Sequence, residues 1–228
     1  MYYGLKDSYG VHLDKKLDEV FSGKENGFFI ELGANDGLFQ SNTAFLEKTR
    51  GWKGILIEPS EIGYELCKEN RKGSLSLNYA CVSDTYLDEY VYGDFQNNNP
   101  MGSVGGIRRN NNGLCRVNAI TLEKILDNYK NNTSEIDFLS LDTEGYELNI
   151  LRGLNLSKYR PRFMLIEIYN RDYDQIIEFL ANHDYILLSN FSDYSKERNQ
   201  VWDGTHNDFL FTRKDISNDT NSREQCMN

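Results

Sequence analysis

Short apolar runs alternate along the chain with segments of helical spacing. Residues 28–32 (FFIEL), 54–58 (GILIE), 75–82, 136–141, 163–168, 185–191 and 208–212 read as strands. Between them lie helical patterns. Leu13, Leu17 and Val20 share one face over residues 11–22, and residues 42–49 follow a cap at Ser41 or Asn42 and stop before Gly51. Ser60 caps a helix to about residue 70, Thr121 caps one carrying Leu122, Ile125, Leu126 and Tyr129, and residues 144–152 end at Gly153. Ile176, Ile177 and Leu180 mark the last helix. Segment 87–92 is expected to pair with strand 75–82.

The strands are continuously apolar, the pattern of strands covered on both faces, so the chain predicts a doubly wound, mostly parallel α/β sheet. The last two strands have no helix between them, which puts one antiparallel strand into it. Residues 1–214 are expected to form a single domain, with 1–25 a helical extension and 93–113 a polar, asparagine- and glycine-rich loop that could act as a lid. Residues 215–228 read as a disordered tail.

Composition narrows the function. A net charge of −10 and a pI near 4.9 argue against a nucleic-acid partner, which normally meets a basic face. No apolar run approaches the length of a membrane span, and the first residues lack a basic stretch followed by an apolar core, so a cytoplasmic protein with no membrane anchor is expected. The four cysteines are scattered and read as free thiols.

Candidate chemistry sits at strand ends, where doubly wound sheets bind ligands. The first strand runs into Gly33-Ala34-Asn35-Asp36-Gly37, a turn poor in side chains. A dinucleotide fingerprint would need glycine at position 35. The second strand ends in Glu58-Pro59, and an acid there can accept bonds from ribose hydroxyls. A nucleoside with a ribose but no pyrophosphate suits both features, as in S-adenosylmethionine. An NAD dehydrogenase is the weaker reading.

The blocks FFIELGANDGLFQSNTAFLEK, GWKGILIEPSEIGYELCKENR, ACVSD, ITLEKIL and IDFLSLDTEGYELNILRGL together resemble FkbM-type S-adenosylmethionine-dependent methyltransferases. The resemblance implies a Rossmann-like, seven-stranded class I methyltransferase fold and methyl transfer to oxygen, in many members on sugars. It implies that Glu31, Gly33, Ala34, Asn35, Asp36 and Gly37 lie under the methionine and ribose, and that Ser41 and Asn42 help hold the methionine carboxylate. Glu58, beside Pro59, then grips the ribose. Ala80, Cys81, Val82 and Ser83 lie beside the adenine. Many members carry Lys where Ser140 stands, so no role for such a lysine transfers.

Asp142, Glu144, Glu167 and His206 are the candidate acids and bases for removing a hydroxyl proton, with Asp142 also a candidate for the cofactor's amino group. Glu144 and Glu147 could instead offset the dipole of the following helix. Converging carboxylates could also hold a divalent metal, which is possible but not expected. A carbohydrate acceptor is the leading expectation. A small-molecule or lipid-linked acceptor, or an inactive cofactor-binding module, are the alternatives.

Overall fold

A computed structural model describes residues 1–95, 114–129, 135–200 and 202–216. Six helices and ten strands alternate in these residues: α1 (Leu13–Val20), β1 (Phe28–Leu32), α2 (Ala44–Arg50), β2 (Lys53–Ile57), α3 (Glu61–Asn70), β3 (Leu75–Leu77), β4 (Ala80–Val82), β5 (Tyr90–Gly93), β6 (Cys115–Thr121), α4 (Leu122–Tyr129), β7 (Phe138–Leu141), α5 (Glu147–Arg152), β8 (Phe163–Tyr169), α6 (Tyr173–Ala181), β9 (Tyr185–Asn190) and β10 (His206–Arg213). Seven strands form one sheet in the order β3-β2-β1-β7-β8-β10-β9. Only β10 runs against its neighbours, antiparallel to both β8 and β9, with a register shift between Leu210 and Phe211 against β9.

The sheet is buried on both faces, as its unbroken apolar strands require. Ile30, Leu139 and Ile166 pack with Ile125 and Leu180 on one face, while Phe29, Phe138 and Leu165 pack with Leu17 and Trp52 on the other.

Three features depart from the sequence reading. The run expected as one strand over residues 75–82 is two strands in different sheets. It breaks at Asn78, whose side-chain amide donates to the carbonyls of Glu58 and Pro59 at 2.9 and 3.0 Å and turns the chain out of the main sheet. Segment 87–92 does not pair with it. Instead β5 pairs antiparallel with β6, a strand the sequence did not signal, and β4-β6-β5 form a second, small sheet. The helix expected over 144–152 begins only at Glu147, because Glu144 (φ 59°) and Gly145 (φ 95°) form a left-handed turn. Most of the 93–113 loop, with the lid proposed for it, lies outside the described residues, as does the tail from residue 217. Asp215, expected in the tail, pairs with Arg213 at 2.6 Å.

The start of α2 is fixed by a buried ion-pair network. Arg71, fully buried just past α3, donates to Glu47 Oε2 (2.9 Å), Thr43 Oγ1 (2.9 Å), Ser41 Oγ (3.1 Å) and the Gly37 carbonyl (2.9 Å), and lies 3.5 Å from Glu31 Oε2. Glu31, at the end of β1, accepts in turn from Ser41 Oγ, Asn42 N and Thr43 Oγ1 at 3.0, 3.0 and 2.6 Å. Every arm of the guanidinium is used, which a buried charge demands. Replacing Arg71 by Met should therefore cost about 3–5 kcal/mol in denaturant unfolding, because Glu31 is left buried without its cation. Adding Glu31→Leu to that variant should recover part of the loss.

Candidate active site

One cavity of about 360 Å³ opens along the carboxyl ends of β2, β1, β7 and β8. It collects Gly33, Asn35, Ser41, Glu58, Pro59, Ala80, Cys81, Asp142, Glu144, Glu167 and His206, residues scattered over the sequence. The parallel sheet delivers them, since each of those strand ends points the following loop to the same edge.

The glycine turn has a structural cause. A Cβ on Gly33 (φ 77°) would stand 1.8 Å from the carbonyl oxygen of Asp142, so the loops after β1 and β7 can touch only if position 33 is glycine. A Cβ on Gly37 would stand 2.7 Å from Arg71 Cγ.

Seven of the residues assigned to the cofactor lie outside this cavity wall. Glu31 is consumed by the Arg71 network rather than forming a floor. Ala34 is in the core, and Asp36 shapes its own turn by accepting from Leu38 N and Phe39 N at 2.8 and 2.7 Å. Gly37 backs onto Arg71. Asn42 gives its backbone N–H to Glu31 and its side-chain amide to Ser140 Oγ at 3.1 Å, so it is not directed at a ligand carboxylate. Val82 packs in the core of the small sheet, and Ser83 Oγ meets Thr85 Oγ1 at 3.1 Å. Conversely, the wall includes residues the sequence did not single out. Leu5 and Lys6 come from the N-terminal strap, Phe39 and Gln40 from the turn before α2, and Tyr146, Tyr194 and Asn199 from later loops. Trp202 also lines it. No sequence signal marks the strap, which has neither periodicity nor a motif.

Glu58 is buried. Its two oxygens accept from Asn35 N and Ser60 N, both at 2.7 Å, and burial without a cation pushes its carboxyl up to about 7. A carboxylate offers about four lone-pair positions, so two remain for further donors. Cys81 is an inert wall, its thiol pushed up by burial.

The carboxyl cluster is denser. Oxygens of Asp142, Glu144 and Glu167 lie within 4.8 Å of one another, the one grouping of this kind among the described residues and a spacing that a hard cation could bridge. Burial raises the pKa of Asp142 and Glu167 well above the carboxylate range, and the neighbouring acids raise them further. His206 Nε2 stands 3.3 Å from Glu167 Oε1, while Glu167 Oε2 is buried without a donor among the described residues. Tyr169 donates to Glu144 Oε2 at 2.8 Å. Glu144 is outside the helix, so it cannot act in its first turn. Glu147 does, and its Oε1 accepts from Thr143 N, Thr143 Oγ1 and Gly145 N at 2.9, 3.0 and 3.1 Å.

The methyltransferase FkbM domain model matches residues 31–187. The chain belongs to the FkbM methyltransferase family. No curated protein matches it. Among solved structures it is similar to a TehB-like S-adenosylmethionine-dependent methyltransferase from Corynebacterium glutamicum (12% identity, 90% of this chain and 89% of that one, TM-score 0.43). Another is fibrillarin from Aeropyrum pernix with S-adenosylmethionine natively bound (13%, 87% and 74%, TM-score 0.45). A third is the METTL16 methyltransferase domain (10%, 89% and 66%, TM-score 0.49).

This FkbM protein is an S-adenosylmethionine-dependent methyltransferase with the mostly parallel seven-stranded sheet described above. Its cavity fits that cofactor chemically: Glu58 keeps lone pairs for hydroxyl donors, Ala80 and Cys81 offer an apolar wall, and the wall's carboxyls can face a cationic sulfonium and ammonium, whose charge would favour their ionised forms. Among the described residues, no helix is long and apolar enough to cross a membrane.

Glu58 and Asp208 carry raised pKa values, about 7 against an ordinary 4.5 and about 6 against 3.8. Between the ordinary and the raised values the folded protein holds protons that the unfolded chain releases. The stability these two groups contribute is thus fully present below about pH 4 and is lost as pH rises toward 7. Glu58→Gln should flatten that decline by up to about 3 kcal/mol, measured as the change in unfolding free energy between pH 4.5 and 7.5 without ligand.

Proposed function

We propose that this methyltransferase transfers its methyl group to a hydroxyl oxygen of a carbohydrate, with Glu167 as the proton acceptor. The observation that carries the reading is the Glu167–His206 pair, 3.3 Å apart, in the same cavity as Glu58 and the glycine turn. His206 Nε2, 3.3 Å from Oε1 of Glu167, steadies that oxygen, while Oε2 is left to receive a proton. Burial, and then the neighbouring acids, raise the pKa of Glu167 and so make its ionised form a stronger proton acceptor than a surface carboxylate.

Bound S-adenosylmethionine supplies an electrophilic methyl group on a positively charged sulfur. The acceptor hydroxyl would give up its proton to Glu167 Oε2 as its oxygen takes the methyl group, the methyl–sulfur bond breaking to leave S-adenosylhomocysteine as a neutral thioether. Asp142, whose pKa burial raises further than a lone surface acid, faces the positive charge and orients it. Support for a sugar comes from the walls beside these acids. Tyr194 and Trp202 lie with ring centroids 6.3 Å apart in the connection from β9 to β10, and such faces can cover the C–H faces of a pyranose while the acids take its hydroxyls.

Turnover with a panel of glycan acceptors and labelled S-adenosylmethionine tests this. Glu167→Gln should lower kcat by about 10²–10⁴-fold with little change in affinity for S-adenosylhomocysteine, and His206→Asn by less. Activity should fall as pH drops through the raised Glu167 pKa, since protonation removes the base. Near-parental turnover in Glu167→Gln, or loss of activity on adding a chelator, would replace this base with alignment alone or with a bound cation.

A further inference from the structure

We propose that Lys6 binds the carboxylate of the cofactor's methionine moiety. The cavity wall contains four acids, Glu58, Asp142, Glu144 and Glu167, and Lys6 is its only lysine or arginine among the described residues. S-adenosylmethionine carries two positive groups and one negative group. The acids suit the first two, and among the described wall residues Lys6 is the one permanent cation to suit the third.

The place where an anion would otherwise settle is taken. At the start of α2, Ser41 Oγ, Asn42 N and Thr43 Oγ1 all point to Glu31, so a protein carboxylate already occupies those donors. Lys6 lines the same cavity as Gln40 and Ser41, and its strap is tied to that turn by the bridge between Gly4 and Gln40.

Its backbone is held there. Gly4 forms a parallel bridge to Gln40, and Lys6 an antiparallel bridge to His12. Leu13 N donates to the Leu5 carbonyl at 2.8 Å, and Tyr3 N to Asp14 Oδ2 at 2.6 Å. The exposed Lys6 side chain thus hangs from an anchored strap, which lowers the entropy lost on binding. Lys6 also lies outside the matched family domain, which begins at residue 31, so family membership assigns it no role.

Calorimetric titration of the full chain with S-adenosylmethionine and with decarboxylated S-adenosylmethionine tests the assignment, because the two ligands differ only in the carboxylate. Lys6→Met should weaken the first about tenfold, the low end for a charge-assisted bond at a partly open site, and change the second less than about twofold. Lys6→Arg should stay within about threefold of the parental protein for both. Equal losses for the two ligands, or no loss for either, would overturn the role of Lys6. A parental protein that binds neither ligand would overturn the fit of this cavity to the cofactor, and the assignment with it.

Discussion

The buried Arg71–Glu31 pair is the constraint on which the site's shape depends. It joins three pieces of chain that are far apart in sequence: the end of β1, the turn into α2 and the residue after α3. A guanidinium taken wholly out of water is tolerated only where each N–H finds an acceptor, so the geometry of the turn is dictated by the charge beneath it. The glycine turn rests on this cation, and Gly37 must be small because Arg71 passes directly behind it. The floor of the cavity is thus set by a side chain that does not line it.

Above that floor the balance of charge reverses. Four carboxyls line the cavity, and Lys6 is the one ammonium among the described residues of its wall. Burial then makes ionisation costly, so protons stay on Glu58 and within the Asp142–Glu167 pair at pH values where surface acids have lost theirs. A positively charged ligand beside these acids would favour their ionised forms.

Much of this was legible in the sequence. Continuous apolar strands and capped helices gave the sheet and its reversed strand, and acids at strand ends brought Glu58, Asp142 and Glu167 to one edge. Local rules failed where distant partners decide. Glu31 looked like a ligand contact because nothing local shows that it meets Arg71. Residues 75–82 read as one strand because their apolar pattern is unbroken, whereas the Asn78 side chain turns the chain by bonding to carbonyls twenty residues away. Arg116 and Asn118 interrupt the apolar residues of β6 and hid that strand. The N-terminal strap contributes through where its backbone is anchored, a property without a sequence signature.

The two ends of the main sheet carry a different implication. An outermost strand exposes unsatisfied backbone groups that can recruit another chain. Here β3 is only three residues long, and the register shift between Leu210 and Phe211 disturbs the ladder beside β9, whose Leu187 and Leu188 are 38% and 46% exposed. A short border and a distorted one offer poor templates for intermolecular strand addition. The sheet can therefore leave apolar side chains in water at its rim without inviting the polymerisation that a long, flat border would.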